Sequence, residues 1–549
     1  MTFRSPIFEL ADQHVEASSM LSPIECTYLG KSINQDKWDD RSLAGSDAKA
    51  ALYRDSLKKL MALKPIDEID RIAQKVMQER LESSLLLHDT DEEHLIWSVL
   101  SSPVSDMRGV FELMPHETDA DFANIAARLA ALGAAFDSWV TTISSLAVKG
   151  KTAARRQVEG VIDQLANHAN GGYVSMAKRF DPELKHPEIH ANALLAEGAC
   201  TKLGAYLKNE YLPFANPIDA VGEERYALWA RYFTGAELNL RETYEWGVQD
   251  LKRINDRMWS IAEKIKPGAK SLREVADVLD NDPKYFIKDK EGIIAFLQEF
   301  TDKTIERMNG EYFEIDDRIK TCEARYAPEG SGTAPYYNPP SEDLTRPGTT
   351  WLPSQGTEGF TWWHLISTWY HEAVPGHHLQ CATTTIEKDR LSRYQRASAW
   401  ISGYGEGWAL YAERFMDELG AFDEPGIEMG YLSNQALRAA RVVVDIGVHL
   451  GYKDENGNVW NADTVKDVLF EKALQSDAIA ASERDRYLGL PGQAISYKVG
   501  ERAWMKARED AKARLGSDFS LKKFHTFALK IGPMGLDTFA VEMSNWDGN

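Results

Sequence analysis

Apolar residues recur at helical spacing through most of the first three hundred positions. This periodicity narrows the folds open to the chain more than any other feature. Asp67 to Leu87 carries a stripe beginning at Ile69, Ile72, Ala73 and Val76. Asp119 to Val148 is Ala-rich and runs to Gly150, Thr152 to His168 ends at Asn-Gly-Gly, and Leu238 to Ile265 stops before Pro267-Gly268. A period of 3.6 closed by glycine or proline predicts amphipathic helices. With 549 residues, 43% of them hydrophobic, the chain has enough apolar material for two or more lobes. A soft boundary near residue 220 separates a helical region at 1–220 from a region at 221–549 that holds the chemical motifs.

The pattern changes between 311 and 353. Tyr312 to Tyr326 alternates enough to suggest a strand. After it come a glycine-rich turn at 328–333, the run Tyr336-Tyr337-Asn338-Pro339-Pro340, and then Thr349-Thr350-Trp351-Leu352-Pro353. Short β-like runs bounded by proline and glycine predict a small sheet or hairpin. The glycine-rich turn has no Gly-Lys-Ser/Thr after it, so it is not a phosphate loop. Helical character returns at Gly359, which gives a mainly α protein with one small β region.

A net charge of −21 argues against a nucleic-acid or anionic-membrane binder. The first residues lack an apolar signal-like stretch, and no long apolar run stands out. The four cysteines, Cys26, Cys200, Cys322 and Cys381, form no C-x-x-C pair. These features point to a cytoplasmic protein without membrane spans, disulfides or a zinc knuckle. Cys381 reads as a small buried hydrophobe.

The chemistry concentrates at Tyr370 to Gln380, Y-H-E-A-V-P-G-H-H-L-Q, where His371 is followed at once by Glu372. Trp362, Ile366, Trp369 and Ala373 give this segment a buried helical face. A zinc-binding helix places its second histidine four residues after the first, and here that position is Pro375. Proline lacks the N–H that a helix needs there, the residue before it is pushed from helical angles, and Gly376 admits almost any backbone conformation. V-P-G therefore predicts a bulge or wide turn. On a regular helix His371 and His377 are about 600° apart in phase, and His378 is roughly 10 Å further along than His371. Two extra residues taken up at Pro-Gly bring His377 to the second-ligand position, with His378 as the alternative.

A hydrolytic zinc site keeps three protein ligands and one water. Gly403 to Arg414, G-Y-G-E-G-W-A-L-Y-A-E-R, offers the third. This run resembles the N-E-G-F-A segment of aminopeptidase-N-type zinc peptidases. That resemblance makes Glu406 the ligand and places Glu413 where a later glutamate sits. The larger pattern is H-E-x-x-P-G-H-H-L-Q, then G-E-G-W-A-L-Y-A-E, then P-G-Q-A-I-S-Y-K-V-G at Pro491 to Gly500. It resembles the bacterial domain-of-unknown-function 885 family, as do Tyr336 to Pro340 and Arg438 to His449. The resemblance implies a mainly helical, zinc-peptidase-like fold with the small β region beside the active-site helix.

Zn2+ held by His371, His377 and Glu406 would activate a water, with Glu372 as general base and then general acid. Tyr497 is the expected oxyanion donor. Lys498 is a candidate to hold a substrate carboxylate, and Gln493 is a similar one. Arg438, Arg441, Asp445 and His449 form one polar stripe on an apolar helix. The stripe is either a structural Arg–Asp network or a cleft lining, with His449 near the substrate and Arg441 gripping a carboxylate. The β region offers an edge strand that places Tyr336, Tyr337 and Asn338 near a bound peptide. The expected activity is hydrolysis of short peptides, of carboxypeptidase or dipeptidase type. The alternatives are hydrolysis of a small non-peptide amide and a non-catalytic helical metal-binding scaffold.

Overall fold

The helical periodicity is realised along the chain. In the computed structural model, helices span Glu68–Asp89, Asp119–Val148, Arg155–Asn167 and Leu240–Ile265. The structure describes residues 4–98, 101–327, 334–353 and 359–548. The glycine-rich turn at 328–333 lies outside them. The chain divides into two units that interleave in sequence. One comprises residues 1–65, 81–228 and 485–491, and the other 66–80, 229–484 and 492–549.

The first unit is built around Asp119–Val148, whose N-terminus is closed by a reciprocal Thr118–Asp121 capping box. This helix is long and apolar enough to cross a membrane by length and composition alone. Its apolar residues are interrupted by Asn124, Arg128, Asp137 and Ser138, so the sequence shows no unbroken apolar run there. Phe122, Ile125, Leu129, Leu132, Phe136, Trp139, Ile143 and Leu146 of this helix are buried. It therefore packs as a core helix, and at Gly133 a Cβ would meet Ala199 of Pro187–Tyr206 at an ordinary contact distance of 3.6 Å.

The second unit carries the motifs. Its β structure is smaller than Tyr312 to Tyr326 suggested. Only Cys322–Tyr326 is a strand, and Asp317–Ile319 is a single 3-10 turn. Cys322–Tyr326 runs parallel to Gly348–Leu352, which pairs antiparallel with Tyr336–Asn338. Phe360–Thr361 pairs with Phe286–Ile287, so the helix expected from Gly359 begins only at Leu365.

Two helix contacts fix the rest. Leu240–Ile265 lies against Pro425–Leu450, and a Cβ on Gly247 would stand 2.8 Å from Val442 Cγ1. Ser402–Glu418 crosses Ser496–Leu515 backbone to backbone, and a Cβ on Gly407 would stand 2.5 Å from Gly500 Cα. The second glycine of G-E-G and the last of S-Y-K-V-G are thus one contact. Around the crossing lie Trp408, Tyr411 and Trp504, with His525 stacked on Phe313 at 4.6 Å. His525 meets the Tyr411 hydroxyl at 2.7 Å and the Tyr312 carbonyl oxygen at 3.1 Å.

Two outcomes are expected. Gly407→Ala or Gly500→Ala should lower unfolding free energy by about 1–3 kcal/mol through overpacking, read from urea denaturation. Burial pushes the His525 imidazole down to about 3, against an ordinary value near 6.5. The unfolded chain then binds a proton that the folded chain refuses. The stabilisation is complete above pH 6.5 and is lost as pH falls toward 3. His525→Gln should flatten the loss of Tm across that interval.

Candidate metal centre

The helix Leu365–Glu372 ends one residue after His371, and a new helix begins at His377. Between them the backbone closes through longer loops than a helical turn. Gly376 N–H donates to Tyr370 O at 3.0 Å, and His378 N–H donates to Ala373 O at 3.0 Å. A Cβ at 376 would lie 1.9 Å from the His371 carbonyl oxygen, so only glycine fits there. The wide turn expected from V-P-G is present. Its carbonyls at Pro375 and Gly376 both accept from the Trp408 indole N–H, at 3.0 and 3.1 Å.

This turn swings His377 to face His371, with the rings perpendicular and their centroids 4.8 Å apart. Glu406, in the first turns of Ser402–Glu418, meets both. Its Oε2 lies 3.2 Å from His371 Nε2 and 3.4 Å from His377 Nε2. Two ligands each about 2.1 Å from a tetrahedral ion sit about 3.4 Å from each other. The two contacts therefore have the length of tetrahedral edges, and the three donor atoms all lie within 4.8 Å of one another. The other nitrogen of His371, Nδ1, rests on Glu413 Oε1 at 2.8 Å, and Glu413 is fully buried. A carboxylate behind an imidazole fixes the ring with its far nitrogen aimed at the ion position.

His378 turns away. Its Nδ1 meets the Tyr337 hydroxyl at 3.0 Å and its Nε2 meets the Ile319 carbonyl oxygen at 2.8 Å. Both nitrogens are engaged, so His371 and His377 are the two histidines of the cluster. Gly348 makes room for this pair, since a Cβ there would stand 2.4 Å from the Tyr337 hydroxyl. Tyr337, expected near a substrate, has its hydroxyl on His378 and ties the sheet to the helix.

Glu372 is buried beside the cluster. Burial raises its carboxyl above the ordinary range, with His377 and His371 pulling the other way. Burial also favours the neutral form of Glu406, but hydrogen bonds to the two histidines outweigh it and hold that carboxyl well below its usual value. Burial disfavours a charged His371, yet Glu406, Glu413 and Glu372 raise it to about 10. Three carboxyl groups thus converge on two imidazoles. A divalent cation in place of the imidazole protons would balance the same excess of negative charge.

Tyr497 stands in the first turn of Ser496–Leu515, its ring 6.2 Å from that of His371 and nearly parallel to it. The Arg441 guanidinium lies 4.5 Å over the Tyr497 ring and is bound to Glu483 at 2.7 Å. Three expected substrate groups are placed otherwise. Lys498 is buried, with its ammonium on Gln435 at 2.9 Å, Asp250 at 3.1 Å and Glu501, so its charge is already matched. Arg441 is matched by Glu483 in the same way. His449 is buried next to Asp445 at 3.6 Å, about 12 Å along the helix from Arg441. Gln493 reaches Ser402 Oγ at 3.4 Å, and the Cys381 thiol donates to Gln380 Oε1. Sequence reasoning noted Glu413 without its contact to His371. It also passed over Asn434, whose amide joins the Arg438 helix to the His371 helix. Spacing alone does not reveal either contact.

The family described as bacterial protein of unknown function (DUF885) matches residues 23–543. The chain belongs to that family. No curated protein matches it. Among solved structures, it is similar to a candidate lipoprotein from Colwellia psychrerythraea, with 19% identity, 98% of each chain covered and a TM-score of 0.87. It is also similar to a candidate lipoprotein of unknown function from Shewanella oneidensis, with 18% identity and a TM-score of 0.75. That alignment covers 98% of this chain and 100% of the other. These likenesses establish a shared fold. They also overturn the cytoplasmic placement expected above, since both neighbours are described as lipoproteins. An uninformative N-terminal stretch does not fix the compartment.

Metal analysis of purified variants tests the cluster. His371→Ala, His377→Ala and Glu406→Ala should each lose the ion that the parent protein retains, while His378→Ala keeps it. Glu413→Gln should weaken metal affinity by roughly 10–100-fold. Loss with His378→Ala and retention with His377→Ala would refute the assignment.

Proposed function

We propose that this protein is a metal-dependent peptidase acting on short peptides, with Zn2+ bound by His371, His377 and Glu406. The observation that carries the reading is the facing of both imidazoles onto one carboxylate oxygen at 3.2 and 3.4 Å, with Glu372 next in sequence to one of them. A zinc ion there would supply a water of lowered pKa and a Lewis acid for a substrate carbonyl. The remaining work falls to side chains of this chain.

Glu372 is the general base. It accepts the proton of the attacking water and returns it to the leaving nitrogen. Its burial, which pushes the carboxyl up, suits a group that must both take and release a proton near neutral pH. Glu413 holds His371 in one orientation throughout. Tyr497, stacked near His371, donates its hydroxyl hydrogen to the oxygen that gains charge as the carbonyl is attacked. Arg441 above the Tyr497 ring favours that polarity and fixes the ring in place.

The test is a panel of di- and tripeptides given to zinc-loaded protein and to Glu372→Gln. The substitution should preserve zinc content and lower kcat by roughly 10²–10⁴-fold. Equal turnover by both proteins, or none by the zinc-loaded parent on any peptide, would overturn the reading. Tyr497→Phe should lower kcat with little change in KM, as expected for a group that acts on developing charge.

A further inference from the structure

Three cations lie on or beside the polar stripe of Pro425–Leu450, and two are matched by carboxylates. Arg441 has Glu483, and Lys498 has Asp250 and Glu501. Arg438 is the third. It is buried at 8% exposure, and among the described residues no carboxylate lies within ion-pairing distance of it. Its hydrogen bonds go from Nη1 to Asn434, to the backbone oxygen at 3.3 Å and to Oδ1 at 3.1 Å. Its Nε is buried with no acceptor.

The position of this guanidinium is well defined. Asn434 Nδ2 donates to His364 O at 3.1 Å, Ser367 Oγ at 3.0 Å and Thr368 Oγ1 at 3.2 Å. Those three residues belong to the start of the His371 helix, and Thr368 lies one turn before Glu372. Arg438 therefore sits where its helix crosses the helix of the general base. A buried cation without an anion is unfavourable unless an anion arrives. A guanidinium offers two parallel N–H donors, which match a carboxylate.

We propose that Arg438 receives a substrate carboxylate, which makes this a site for peptides with a free C-terminus; the proposal rests on the peptidase reading above. The expected roles of Arg441 and Lys498 as carboxylate anchors then pass to the one cation of the three that is unmatched.

Binding separates this proposal from the peptidase reading. N-acetylglycyl-leucine and its C-terminal amide are titrated calorimetrically into zinc-loaded protein carrying Glu372→Gln, which keeps the probe intact. The acid should bind at least about tenfold tighter than the amide. Arg438→Met should erase that preference, and Arg438→Lys should restore part of it. Equal binding of acid and amide, no binding of either, or a preference that survives Arg438→Met would overturn the proposal. Melting provides a second readout. Arg438→Met should keep or raise Tm, while Arg441→Met should lower it by stranding Glu483. An equal fall for both would mark Arg438 as a structural cation and overturn the proposal. An Arg438-dependent acid preference without hydrolysis by the Glu372 protein sustains the carboxylate site and removes the peptidase. Hydrolysis of acid and amide at the same rate does the reverse.

Discussion

The indole N–H of Trp408 spans the break in the helix that carries the candidate metal ligands. It donates to the Pro375 carbonyl oxygen, which the break between Glu372 and His377 leaves without a helical partner, and to the Gly376 carbonyl oxygen, which also accepts from Gln380 N–H at 3.2 Å. A turn of that width, buried with its carbonyls unpaired, would be costly. Trp408 also stands two residues after Glu406. The contact that holds the turn open therefore fixes the third donor against the first two.

Much of this was legible in the sequence. Four helices follow from periodicity and stop signals, because those are local properties that burial only reinforces. The wide turn follows from Pro375 and Gly376, because a missing N–H and a missing Cβ are facts about single residues. The choice between His377 and His378 was not legible. It depends on Ile319 and Tyr337, far away in sequence, occupying both nitrogens of His378. Glu483 and Asp250 likewise lie on other segments than Arg441 and Lys498, and their positions decide which basic residues have charge to spare. The strand is shorter than the alternation over Tyr312 to Tyr326 suggests, since alternation persists through the 3-10 turn Asp317–Ile319, which belongs to no strand.

The electrostatics of the unit follow one rule with one exception. Buried basic groups near the cluster are matched by carboxylates, and the carboxylates of the cluster are matched by imidazoles. Arg257, for example, is held by both Asp417 and Glu428. Arg438 departs from this rule on the side of the helix that faces Thr368. Elsewhere a buried guanidinium without a carboxylate is saturated by other acceptors, as Arg128 is by Lys37 O, Pro23 O and Thr27 Oγ1, whereas Arg438 keeps a buried Nε with no acceptor.

The glycine-to-glycine crossing has a mechanical meaning as well. Glu406 precedes Gly407 directly, and Tyr497 lies one turn before Gly500. The two helices touch through main-chain atoms at that point, with no rotamer between them to absorb displacement. The Cα atoms that bear that carboxylate and that phenol are thus joined by a short, stiff strut. Their separation is set by backbone dimensions, and substitutions elsewhere in the unit act on it only by bending a helix.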